Sequence, residues 1–394
     1  MAAPDPFVKE YLMTAGPTPV PPAVMNAMAE PVTYHRSPAF DAIYERVLRR
    51  LPAVFQTANE VLMFAASGSG AMESAVANLV APGESALACA TGKFGERWIE
   101  LCDVYGARTV RHEPGWGARL DPADIDRLLD ENPDVRVAFA TLSETSTGVV
   151  HDLEAIAEVT RRHDVILAVD AVSGLGAAEL RQDEWGVDVV VAGSQKALMC
   201  PPGLAFASVS ERAFEHSAAQ PGGRYYFDWA RTRSAQAKGL SPFTPPVTIV
   251  RGLDVALDLI EEEGLANVLA RHDLLARATR AGVRAMGLDL YGDPDERATV
   301  VTAVELPESI DGGQVPKLLS DVHKINANGG QDQIKGRILR IAHCGYFGAY
   351  DIITTLAALE MVLSQLGVDL ELGAGVGAAQ RVFLDAGVPA AAGA

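Results

Sequence analysis

The stretch VDVVVAGSQKAL, residues 187–198, decides the fold: an unbroken apolar run ends in a short polar turn, and the turn presents Lys196. Apolarity without alternation is the pattern of a strand buried on both faces, as in a parallel sheet covered by helices. A second run, VILAVDAVS, residues 165–173, ends in the same way at Asp170, 26 residues before Lys196. Two buried strands thus deliver a carboxylate and an amine to one edge of a sheet. An ordinary lysine has a pKa of about 10.4 and is a poor nucleophile at neutral pH, so a reactive one must be desolvated or electrostatically tuned. An aldehyde cofactor would capture it as a Schiff base. A carboxylate set against a ring nitrogen would keep that nitrogen protonated and let the ring accept electrons. Taken singly, each residue has an ordinary reading, a solvated lysine after a strand and an aspartate capping a turn.

Outward from these runs, short apolar segments alternate with helical patterns. EVLMFAA (60–66) precedes MESAVANLV (72–80), and VRVAFATL (135–142) precedes LEAIAEVTRRH (153–163). Such alternation implies crossover connections and a mainly parallel central sheet. Upstream, Ser37 and Pro38 read as an N-cap and first helical position. They open a helix with the stripe Phe40, Ile43, Tyr44, Val47, Leu48 and Leu51. From about Arg212 the rhythm changes, through the aromatic GGRYYFDWARTRSAQAKG (222–239) and the Pro-rich SPFTPPV (241–247). A helical pattern then runs from Val250 to Ala285 with a break near Gly264, and later segments suggest a smaller α+β domain. The expected division is an N-terminal arm near the active site over 1–20, a large domain over 21–260, a small C-terminal domain over 261–372, and a mobile Gly/Ala-rich tail without usable pattern over 373–394.

A chain of 394 residues with 48% hydrophobic residues is sufficient for two domains and an oligomer interface. Its net charge of −18 argues against a nucleic-acid or membrane-surface partner, since both surfaces are anionic. Any anionic ligand must be held by a local site. Cys89, Cys102, Cys200 and Cys344 have no Cys-x-x-Cys spacing, so neither a metal site nor a disulfide framework is expected. The N-terminus lacks the features of a signal peptide, and the expected location is cytoplasmic.

FAASGSGAMESAVANL, residues 64–79, reads as strand, Gly/Ser turn and helix. A helix N-terminus offers unpaired N–H groups and partial positive charge, so a phosphate could sit there on Ser69 and the amides of Gly70 and Ala71. With Lys196 and Asp170, this phosphate site points to pyridoxal phosphate. Phe94, in ATGKFGERW, could stack on a flat cofactor or pack the core. Thr145, in LSETSTGVV, could reach a ligand or form a turn. Ser194 and Gln195 could hydrogen-bond the phosphate and ring. Arg340, in GRILRIAHCGYFG, could grip an amino-acid carboxylate through two parallel hydrogen bonds or sit in an ion pair. His343 and Arg337 read as structural, and Arg36 as a residue at the mouth of the site.

Together, GPTPVPPAV, SGSGAMES, SETSTGV, AVDAVSGLG, GSQKALMCPPG, FTPPV and RILRIAHCGY are spread along most of the chain and resemble the class V aminotransferases of pyridoxal-phosphate fold type I, especially the alanine–glyoxylate and serine–glyoxylate group. The resemblance implies an α/β fold with a smaller α+β C-terminal domain and a homodimer with active sites at the subunit interface. It implies that Lys196 attaches the cofactor, Asp170 meets the ring nitrogen, Phe94 stacks on the ring and Val172 packs against it. Ser69, Gly70, Ala71 and Gln195 surround the phosphate, Thr145 touches the ring side, Thr244 reaches the phosphate from the partner subunit, and Arg340 holds the substrate carboxylate. Two departures stand out: the stacking position is often tryptophan in the alanine–glyoxylate enzymes, and Ser241 occupies a position where they have tyrosine. The expected reaction moves an amino group from serine or alanine to an oxo acid such as glyoxylate or pyruvate. Same-fold alternatives are an aminotransferase for aspartate, phosphoserine or ureidoglycine, a lyase such as a cysteine desulfurase using Cys200, and a protein keeping the fold without the chemistry.

Overall fold

The computed structural model describes residues 9–292 and 298–387. Its centre is a seven-stranded sheet in the order Glu60–Phe64, Ala205–Val209, Val189–Gly193, Ile166–Asp170, Val137–Thr141, Ser85–Cys89 and Arg108–His112. Ala205–Val209 is antiparallel to both its neighbours, and every other pairing is parallel, giving the expected mainly parallel sheet. The apolar runs are buried on both faces for the expected reason. Leu167, Val169, Val190 and Ala192 enter one core cluster, while Ile166, Ala168, Val189 and Val191 enter the other.

Helix Pro38–Phe55 starts as the sequence indicates, with Ser37 Oγ accepting from Phe40 N at 3.3 Å. The long pattern after the Pro-rich segment is two helices, Val247–Glu263 and Leu265–Ala285, broken where Gly264 adopts φ +80°. Beyond them, Val301–Glu305, Ile338–Ala342 and Asn328–Gly329 form a three-stranded antiparallel sheet, with helix Ala349–Gln365 after it. Strand Tyr11–Leu12 pairs in parallel with Ile325–Asn326, so the N-terminal segment is tied to this C-terminal unit.

The patternless tail is a correction. Residues 374–385 form a helix, Ala374–Asp385, that packs on Leu265–Ala285; only residues 388–394 of the expected tail lie outside the described structure, as do 1–8 of the expected arm. Alanine and glycine mute the hydrophobic contrast that marks an amphipathic helix, while the same small side chains permit close packing.

Candidate active site

The parallel register sets Thr141 opposite Asp170 and Asp170 opposite Val191, so the chain after Gly193 turns at the carboxyl ends of these strands, where ligands bind in open α/β sheets. A cavity of about 260 Å³ opens there. Asp170, Lys196, Phe94, Val172, Gln195 and the Ser67–Ser69 turn line it.

Asp170 and Lys196 are 4% and 8% exposed. Burial pushes the Asp170 carboxyl up to about 6, against the hydrogen bond it accepts from Val172 N at 2.7 Å. Burial likewise pulls the Lys196 ammonium below the usual lysine range, and the nearby Asp170 charge opposes this. Lys196 Nζ donates to the carbonyl of Ala15. Gly16 follows at φ +138°, and a Cβ there would collide with Lys196 Nζ. The N-terminal segment is also held by Thr18 N donating to Gln195 O at 3.1 Å. Ala15 and Gly16 went unnoticed in the sequence as roof residues, because a contact across 181 positions leaves no local pattern.

Helix Gly68–Leu79 points its N-terminus into the cavity, with no side-chain cap on its first turn. It begins earlier than the phosphate reading assumed. Gly70 N and Ala71 N already donate to Ser67 O at 2.9 and 3.3 Å, so the free amide positions at the helix end are those of Gly68 and Ser69. A Cβ at Gly68 would lie 2.7 Å from Val172 Cγ1, and one at Gly193 would lie 2.8 Å from Gln195 Oε1 and 3.5 Å from Gly68 Cα. Helix end, Val172 and Gln195 therefore converge. Gln195 Oε1 is buried without a hydrogen-bond partner, as expected of a group waiting for a ligand. Ser194 does not join them. Its hydroxyl donates to Pro201 O at 2.6 Å and accepts from Leu204 N at 3.2 Å, which fixes the turn.

Phe94 lines the cavity, and the Arg97 guanidinium, another cavity residue, lies 5.2 Å from its ring centroid. Thr145 is buried; its carbonyl accepts from Arg340 Nη1 at 3.0 Å, and Arg340 Nε donates to Gly329 O at 3.0 Å. Burial lowers the Arg340 guanidinium to about 10. Thr244 is exposed on this chain and lies off the cavity lining. Arg36 Nη2 donates to Ser241 O at 3.0 Å, which makes it a support for the Pro-rich segment. His343 is structural: Nδ1 meets Thr299 O and Nε2 meets Thr302 Oγ1, both at 2.9 Å. Arg337 lies over the Tyr291 ring and 3.7 Å from Glu305. Cys200 is fully buried, and burial pushes its thiol up to about 12, the reverse of an activated nucleophile.

The family model for aminotransferase class-V matches residues 10–341. A protein named soluble hydrogenase, small subunit, from Synechococcus sp. (strain PCC 6716) is 42% identical, over 95% of this chain and 98% of its own. L-aspartate–glyoxylate aminotransferase of Paracoccus denitrificans and serine–glyoxylate aminotransferase of Methylorubrum extorquens are each 35% identical, over 93% and 94% of this chain and 94% and 95% of theirs. The crystal structure of ureidoglycine–glyoxylate aminotransferase from Bacillus subtilis superposes with a TM-score of 0.92 at 32% identity, covering 98% of this chain and all of that one.

Proposed function

This chain belongs to the class V aminotransferases and is a transaminase, and from that premise we propose that it uses pyridoxal phosphate to move the amino group of a small amino acid, serine or alanine, to glyoxylate or pyruvate. The observation that carries the reading is the buried Lys196 and Asp170 pair sharing one cavity with an uncapped helix N-terminus and an aromatic ring. The glyoxylate acceptor is supported by the names of the relatives at 35% identity; their donors differ from one another.

The residues fit the cofactor. The Gly68–Ser69 helix end and the Gln195 side-chain NH2 would donate to its phosphate, the unpartnered Gln195 Oε1 would accept from a donor of the ligand, Phe94 and Val172 would flank its ring, Asp170 would meet its ring nitrogen, and Lys196 would attach it. When bound, pyridoxal phosphate supplies an aldehyde that exchanges lysine for a substrate amine and a ring that accepts the electron pair of a broken Cα–H bond. Asp170 would accept the proton of the ring nitrogen in a hydrogen bond and keep that nitrogen protonated. Lys196, lowered in basicity by burial, would serve as the general base that takes the donor's Cα proton and returns it within one cavity. Arg340, held by Gly329 O and Thr145 O, would present its guanidinium to the donor carboxylate, and the burial of all three groups would limit the access of water to the proton transfer. The phosphate ligand set would be completed by Thr244 of a second copy in a homodimer. Four free, buried cysteines support a reducing, cytoplasmic location, and no helix among the described residues is long and apolar enough to cross a membrane.

Lys196→Ala should abolish turnover and leave the fold intact. A panel of serine, alanine, aspartate, phosphoserine, ureidoglycine and cysteine, each with glyoxylate and pyruvate, is read by the change in cofactor absorbance. Normal turnover by Lys196→Ala would refute the assignment, and sulfide release from cysteine without an oxo acid would move it to a lyase.

A further inference from the structure

Glu144 is a fully buried carboxylate that the proposed chemistry does not use. Its partners are all donors. Oε2 accepts from Phe94 N at 3.0 Å and Gly95 N at 2.9 Å, while Oε1 accepts from Ser146 N at 3.1 Å and Ser146 Oγ at 2.6 Å. Ser146 Oγ in turn accepts from Lys93 N at 3.0 Å. The first three amides of helix Lys93–Val104, which its own N-cap Gly92 leaves without a side-chain partner, are therefore taken up by a loop about 50 residues downstream. Four donors and no acceptor around a carboxyl group select its ionised form, and the helix N-terminus favours the same charge. Burial works the other way and raises its pKa. The approach is close enough to exclude any side chain at position 92, where a Cβ would lie 2.6 Å from Glu144 Cγ.

The same loop reaches the rest of the site. Leu142 N donates to Asp170 O at 2.8 Å, and the Thr145 carbonyl accepts from Arg340. Phe94 lines the cavity and its own amide donates to Glu144, so that carboxylate helps to fix the backbone from which the ring projects into the cavity.

We propose that Glu144 is a positioning residue for the cofactor: by clamping the first turn of helix Lys93–Val104 from across the site, it sets the Phe94 ring against the cofactor plane. This rests on the pyridoxal-phosphate reading above. In Glu144→Gln one carboxylate oxygen becomes an NH2 group facing N–H donors, so the clamp fails while side-chain volume is kept.

The test is a double-mutant cycle in the full-length protein stripped of cofactor. Pyridoxal phosphate is titrated into wild type, Glu144→Gln, Phe94→Ala and the double variant, followed by absorbance and by the visible circular dichroism of the bound chromophore. Glu144→Gln should weaken binding roughly tenfold or more, the scale of a lost charge-assisted hydrogen bond, and alter the dichroic band. In the Phe94→Ala background the same change should add little, because the ring through which Glu144 acts is gone. Full additivity, or unchanged affinity and dichroism with only a lower melting temperature, would overturn the proposal. Should Glu144→Gln fail to fold, Ser146→Ala takes its place in the cycle with the same criteria. Failure of the wild type itself to bind pyridoxal phosphate would instead reject the cofactor reading.

Discussion

Asp170 shows how far function and stability pull apart at a single residue. Held at about 6 by burial, it binds a proton in the folded chain more readily than the ordinary carboxyl at 3.8. The cofactor-free protein therefore loses stability as pH rises from about 3.8 through about 6, and above that window it carries the whole penalty, on the order of 3 kcal/mol at about 1.36 kcal/mol per pH unit. Asp170→Asn keeps an oxygen for the Val172 amide and removes the charge. Thermal melts of the stripped protein at pH 8 should show the variant more stable than wild type, with the gap closing below pH 6, while its turnover falls by orders of magnitude. A wild type more stable than the variant at pH 8 would mean that the Arg97 and Lys196 charges outweigh burial at Asp170. Lys196 and Asp170 were legible in the sequence because each ends an apolar run, and a strand end is a local signal. Glu144 was not, since its partners Phe94 and Gly95 belong to a helix about 50 residues upstream and only folding shows their meeting.

At the scale of elements, the sheet strands and their connecting helices follow from apolar runs and caps, and the C-terminal helix does not. Its hold on the molecule comes from outside itself. Glu360, buried on helix Ala349–Gln365, accepts from Gly373 N at 2.8 Å, Gly375 N at 2.7 Å and Val376 N at 3.3 Å. A Cβ on Gly375 would lie 2.9 Å from Gly282 O, so two glycines let this helix and Leu265–Ala285 touch backbone to backbone. Ala379 and Phe383 bury the remaining face. Glu360→Ala leaves the N–H groups of the N-cap Gly373 and of Gly375 and Val376 in the first turn without their acceptor, a loss on the order of 2 kcal/mol. Hydrogen exchange followed by mass spectrometry should show residues 374–385 exchanging faster, with the peptides around Lys196 unchanged. Equal protection in the variant would show that packing alone docks the helix.

The whole molecule raises the question of how many chains make one site. Thr244, expected to reach the phosphate of a second subunit, is exposed here and lies off this chain's own cavity lining, and beside it Phe243 stacks on Tyr226 with ring centroids 4.6 Å apart. Tyr226 and its neighbour Tyr225 are 39% and 66% exposed, aromatic surface of the kind that subunit interfaces cover. If Thr244 completes the site of a second copy, two inactive variants can repair one another. In a mixed dimer of Lys196→Ala and Thr244→Arg, one site holds both defects and the other holds neither. Random reassortment makes half the dimers mixed, so about a quarter of wild-type activity should return. If Thr244 instead served its own chain, every site in the mixed dimer would carry one defect. Co-refolding the two variants and assaying the mixture against each alone separates these arrangements, because recovery requires a site shared between subunits.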